Sequence, residues 1–156
     1  MIYFFVAALL VLADQLVKLA IRSAFALGES TTLIPGVLGL TYVQNTGMAF
    51  SSLSSQTFFL TVVSLAASVA IGVALAKNLL FSHPYGKWPL TLIFAGAVGN
   101  LIDRAFLGFV TDMIQVLFVN FAVFNVADCC VVVGGILVAV YVLFFWEKLE
   151  PKEVNK

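Results

Sequence analysis

The stretch FAVFNVADCCVVVGGILVAVYVLFFW, residues 121–146, decides the fold. From Asn125 onward it is apolar for the roughly 20 residues a helix needs to cross a bilayer. One acid, Asp128, interrupts it near its start. A carboxylate held in or beside hydrocarbon costs about 2.5–3.5 kcal/mol on insertion scales, so it is rarely retained without a role. Upstream, GFVTDMIQV at 108–116 carries a second acid, Asp112, sixteen positions before the first. These two aspartates are the candidates for chemistry.

The rest of the chain fits the same reading. Of its 156 residues, 62% are hydrophobic and 10% charged, with a mean hydropathy of +1.10. A soluble domain is about 45–50% apolar and about 25% charged. The expectation is one integral membrane domain over 1–156, an all-α bundle of four transmembrane helices at about 2–20, 58–76, 88–102 and 125–146. No soluble domain is expected beside it. Span one is read as retained rather than cleaved, because a basic n-region is missing and Asp14 and Lys18 fall within or just after the apolar run. Ala66, Ala70 and Ala74 in span two have the spacing of close helix packing.

Residues 22–56 mix Gly, Ser and Thr with β-branched and aromatic residues, and predict a small extended or β-type element at the membrane surface. The stretch 105–123 reads as a Phe-rich connection in the interface, not as a fifth span. Residues 77–87, with Pro84 and Gly86 as breakers, read as a polar loop. Lys77, Lys87, Lys148, Lys152 and Lys156 lie in that loop and the C-terminal tail. The positive-inside rule therefore expects both termini in the cytoplasm, with Asp112 and Asp128 at the outer face.

Other classes are disfavoured. Eight basic and eight acidic residues give a net charge of +0, without the basic stripe of a nucleic-acid surface. Cys129 and Cys130 are adjacent, so on a helix they point apart and read as small helix residues. His83 reads as a loop histidine. No metal and no cofactor is expected.

The remaining polar residues sort by place. Glu147, Glu150 and Glu153 in the tail, and Glu29 in the outer segment, read as solvated charge. Asp14 and Lys18 stand at i,i+4 on span one and share a face; a structural ion pair is favoured over direct contact with a substrate. Asn100, Asp103 and Arg104 close span three in GNLIDR and read as a hydrogen-bond network that holds a site. Asn45 and Gly47, in VQNTGMAF, read alone as a turn. A serine–lysine dyad between Lys18 and one of Ser51, Ser52, Ser54 or Ser55 is the weaker peptidase reading, since a run of serines is more often loop.

Asp112 and Asp128 leave three readings open. They are an aspartyl dyad, a proton relay of a small transporter, or two acids buried for structure. Both lie near one face, whereas a relay runs across the membrane, so the dyad is preferred. Two close carboxyls do not both ionise cheaply. The ionised one takes a proton from water, and the protonated one polarises a scissile carbonyl.

The blocks DQLVK at 14–18, QNTGMAF at 44–50, GNLIDR at 99–104, GFVTDMI at 108–114 and FNVAD at 124–128 resemble, in order and spacing, the bacterial lipoprotein signal peptidase (signal peptidase II) family. The resemblance covers nearly the whole chain. It implies four spans, cytoplasmic termini in the bacterial inner membrane, and a surface β-like cradle. It implies Asp112 and Asp128 as the catalytic dyad of an aspartic endopeptidase. Asp14, Lys18, Asn45, Gly47, Asn100, Arg104 and Asn125 match family positions that shape or line the site. The substrate implied is a diacylglyceryl-modified prolipoprotein, met within membrane lipid and cut on the N-terminal side of its lipidated cysteine. No oligomer is required. Thr111, Met113, Ala122, Val123 and Cys129 depart from residues frequent in the family, without removing a polar group the mechanism needs.

Overall fold

The computed structural model describes residues 1–47 and 56–150. The expectations placed on Ser51, Ser52, Ser54, Ser55, Lys152, Glu153 and Lys156 lie outside them. Among the described residues, four helices are long and apolar enough to cross a membrane. They are α1 (Ile2–Ala24), α2 (Gln56–Lys77), α3 (Pro84–Leu107) and α4 (Val126–Phe144). Three short strands, β1 (Ser30–Ile34), β2 (Leu38–Asn45) and β3 (Val110–Val116), form an antiparallel sheet in the order β1-β2-β3. A short helix, α5 (Trp146–Leu149), follows α4. The protein is an integral membrane protein.

α1, α2 and α3 run longer than the hydropathy pattern suggests, and α4 shorter, for local reasons. α3 begins at Pro84, not near Trp88. Proline suits the first helical position, where an N–H has no intrahelical partner, and His83 Nδ1 accepts from Tyr85 N at 3.3 Å as its cap. Pro84 thus starts the helix it was expected to exclude, and His83 is its N-cap. The other end of α3 stops at Gly108, whose φ of 78° breaks the helix while its N–H reaches Arg104 O. α1 likewise continues past residue 20 to Ala24. Span four starts at Val126, one residue inside a cap supplied by Asn125, and ends at Phe144.

The connection 105–123 is not simply a Phe-rich interfacial segment. Its VTDMIQV forms β3, pairing Val43 with Asp112 and Asn45 with Val110 across β2. The first four residues of β3 are all buried, so the strand lacks the alternation of a one-sided sheet. Ile21 at the end of α1 packs with Tyr42 and Met113, seating the sheet on that end of the bundle.

The bundle presents apolar side chains outward, among them Leu9, Leu65, Val69 and Val132, as a lipid solvent requires. Buried polar residues include Asp14, Lys18, Asn100, Asp103, Thr111, Asp112 and Asn125. The spaced alanines of α2 act differently from expectation. Ala74 is buried, but Ala66 and Ala70 face outward. The inward face there is carried instead by Ser68, Ala74 and Leu75, with Gly72 against the Phe94 ring.

At the opposite end, Phe81 stacks edge-on against Tyr141 and Trp146, with ring centroids 5.2 and 5.5 Å away. Glu150 is not a free solvated charge. Its carboxylate accepts Ser82 N at 2.8 Å, His83 N at 3.2 Å and the Tyr141 hydroxyl at 2.8 Å. Burial alone would push Glu150 upward, but these three donors and the nearby His83 outweigh it and leave the carboxyl below its ordinary range.

Candidate active site

α4 begins with a reciprocal cap. Asn125 Oδ1 accepts from Asp128 N at 2.9 Å, and Asp128 Oδ2 accepts from Asn125 N at 3.1 Å. The first helical turn therefore fixes the Asp128 side chain. Its other oxygen, Oδ1, accepts from Asn100 Nδ2 at 2.7 Å, which ties α4 to α3.

Asp112 comes from β3 and meets two carboxamides. Asn125 Nδ2 donates to its Oδ1 at 2.6 Å, and Asn45 Nδ2 to its Oδ2 at 2.9 Å. The Asn45 side chain is held by its own turn. Its Oδ1 accepts from Gly47 N at 2.8 Å, which leaves the NH₂ to point at Asp112. Gly47 has φ +88°, a region side chains with a Cβ rarely adopt. The asparagine–glycine pair is a turn, as read, and that turn aims a donor.

Asp112 and Asp128 line one cavity of about 540 Å³, together with Asn45, Phe124, Cys129 and Val132. The walls are otherwise mostly apolar. Burial pushes the Asp112 carboxyl above its ordinary range. The Asn45 and Asn125 hydrogen bonds oppose that rise, the Asp128 charge adds to it, and Lys18 offsets part of it.

Behind the carboxyls sits a fully buried cation. Lys18 Nζ lies 2.9 Å from Asp14 Oδ2 and 3.4 Å from Asp103 Oδ2. It also donates to Asn100 Oδ1 at 2.9 Å, and Asn125 Nδ2 reaches that same oxygen at 3.1 Å. The i,i+4 pair of α1 is present, and sequence spacing gave no sign of its third member from α3. Room for the pair comes from Gly99, where an added Cβ would stand 2.8 Å from Asp14 Oδ2.

Arg104 stands apart from this ladder. Its Nη1 reaches Ser64 Oγ at 3.4 Å, and its charge is within electrostatic reach of Asp128, Asp112 and Asp103. Two residues outside the expected set also join. Gln15 Nε2 contacts Asp103 Oδ1, Gly99 O and Asp14 Oδ2, and Arg22 donates to Thr111 Oγ1 at 2.9 Å. Gln15 lies within DQLVK, but only the fold reveals what it touches.

Known proteins resemble this chain over most of its length. A sequence-family model for signal peptidase (SPase) II matches residues 6–144. A lipoprotein signal peptidase of Lactobacillus johnsonii is 40% identical over 147 residues, covering 94% of this chain and 95% of its own. One from Enterococcus faecalis is 44% identical over 142 residues, covering 91% and 88%. A bacterial membrane enzyme structure solved by the in meso method at 1.9 Å superposes with a TM-score of 0.84 at 30% identity, covering 92% of this chain and 93% of that one. A second, at 2.3 Å, gives 0.82, also at 30% identity, over 98% and 94%. On these matches the chain belongs to the signal peptidase II family of proteases.

Proposed function

We propose that this protein is an aspartic endopeptidase that removes the signal peptide from diacylglyceryl-modified prolipoproteins, cutting on the N-terminal side of the lipidated cysteine. The observation that carries the reading is that Asp112 and Asp128, from a strand and a helix, line one cavity and are joined through Asn125 and Asn100. The curated relatives bear the name lipoprotein signal peptidase, which supports the substrate class.

The chemistry follows from two carboxyls in unequal surroundings. Two nearby carboxyls share one proton, and the scheme is written with that proton on Asp112 at the start. Asp128 removes a proton from water, whose oxygen adds to the scissile carbonyl carbon. Asp112 gives its proton to the carbonyl oxygen, forming a neutral gem-diol. Collapse breaks the C–N bond, Asp128 gives its proton to the leaving nitrogen, and a gem-diol hydroxyl proton returns to Asp112. The products are a new carboxyl on the signal peptide and a free α-amine on the lipidated cysteine.

Asn125, Asn100 and Asn45 hold the carboxyls, and Asp14 with Lys18 supports that layer. Arg104 adds positive potential, and Gly47 sets the Asn45 turn. The mostly apolar cavity suits a substrate arriving sideways through lipid. Lys77, Lys87 and Lys148 lie at the ends of the spans remote from the sheet. This supports cytoplasmic termini in the bacterial inner membrane, with the site at the outer face. The acids cluster at the sheet end rather than along the membrane depth, which favours hydrolysis over a transporter relay.

The test is cleavage by the purified protein in detergent. A diacylglyceryl-modified prolipoprotein should yield two fragments whose masses place the cut directly before the lipidated cysteine. No cleavage, or a cut elsewhere, would overturn the assignment.

A further inference from the structure

The ion cluster behind the aspartates does more than neutralise charge. The two carboxylates that contact Lys18 come from different helices, and each also receives a backbone N–H. Asp14 Oδ1 accepts from Ala127 N at 2.9 Å, and Asp103 Oδ2 accepts from Thr111 N at 2.9 Å. Ala127 immediately precedes Asp128, and Thr111 immediately precedes Asp112. One buried ammonium thus connects, through one carboxylate on each side, the backbones that carry the two candidate aspartates.

Charge neutralisation alone does not ask for this. A carboxylate paired with lysine is satisfied by the ion pair and any donor nearby, yet here each takes the N–H one residue before a dyad member. The strain of a misfit would pass directly to the carboxyl spacing, because Asp14 and Asp103 have short side chains and both are almost fully buried. Gln15 braces the pair from α1, and Arg22 holds Thr111 from its side chain.

We propose, resting on the reading of Asp112 and Asp128 as the acting pair, that Asp103 is a positioning residue. With Asp14, and through Lys18, it forms a clamp that sets the separation of the two aspartates. The clamp touches no substrate. It acts on β3 at Thr111 and on the first turn of α4 at Ala127. Among the described residues, the charged or titratable groups around the dyad are Lys18, Asp14 and Arg22 from α1, Asp103 and Arg104 from α3, and Cys129 from α4.

The clamp predicts a specific signature. Two carboxyls held close lose their protons in two well-separated steps, and the activity profile against pH spans that gap. Releasing Thr111 lets Asp112 draw away, so the acidic and basic limbs approach each other. Misplacement by about 1 Å lowers catalysis on the order of 10²-fold, and this loss should fall on kcat with KM little changed.

The experiment measures kcat and KM across pH for the purified protein, Asp103→Ala and Asp103→Asn, with thermal midpoints alongside. Asp103→Ala should lower kcat and narrow the profile. Asp103→Asn keeps an oxygen for Thr111 N and should restore most of both. Should Asp103→Ala fail to fold, Gln15→Ala, which leaves every charge in place, should narrow the profile in the same direction. A folded Asp103→Ala, or in its place Gln15→Ala, with the limb spacing of the parent protein overturns the clamp. Asp112→Asn, assayed in parallel, separates the two ideas. If it stays active the dyad itself fails, and if it is dead while the limbs stay put only the clamp fails.

Discussion

Asn125 donates Nδ2 to Asp112 at 2.6 Å while its Oδ1 receives the backbone N–H of Asp128 at 2.9 Å. One carboxamide therefore caps a membrane helix and couples the two candidate catalytic acids.

This double duty can be split by substitution. Asn125→Ala removes a helix cap, worth about 1 kcal/mol, and leaves buried groups without partners at about 1–3 kcal/mol. Its thermal midpoint in detergent should fall, and cleavage with it. Asn125→Asp keeps an oxygen for Asp128 N but sets a third carboxyl against Asp112. It should keep more of the midpoint than the alanine variant while losing cleavage by at least as much. Equal activity in Asn125→Asp and the parent protein would refute the coupling.

Lys18 is wholly buried between Asp14 and Asp103. Removing one partner of such a cluster costs roughly 3–5 kcal/mol, because charge is left unpaired. Lys18→Met should therefore unfold far more readily in a thermal scan. Adding Asp14→Asn to it should recover part of the loss, since one orphaned carboxylate is gone. Strictly additive losses would mean that the two side chains do not interact.

Glu150 predicts a pH effect that leaves the chemistry alone. Its carboxyl is held below its unfolded value. A group shifted down contributes stability above its unfolded pKa and loses it as pH falls through the folded value. Glu150→Gln should thus lower the thermal midpoint at neutral pH, and the difference should shrink on acidification. Cleavage at neutral pH and moderate temperature should be unchanged. A midpoint gap that grows as pH falls would contradict the assignment.

The sequence carried much of this plan. Hydropathy located four spans, and the i,i+4 spacing of Asp14 and Lys18 gave a true pair, because both signals are local. The misses are equally physical. β3 is buried along both faces at its start, so no alternation marks it, and the caps that lengthen α3 depend on how Pro84 and His83 fold together. The partners of Asp103 and Asp14 at Thr111 and Ala127 are reached only by tertiary contact. Glu150 sits in a charged tail that looks solvated until Ser82, His83 and Tyr141 are brought beside it. The alanines of α2 have the right spacing, yet spacing does not say which face turns inward.

The most direct measurement is the single-turnover cleavage rate of a purified diacylglyceryl prolipoprotein by Asp112→Asn and Asp128→Asn, each shown to be folded by its thermal midpoint. An asparagine in either place preserves shape but cannot exchange the proton the mechanism needs. Both folded variants should lose cleavage by several orders of magnitude. A folded variant of either kind that cuts at the rate of the parent protein would contradict that mechanism.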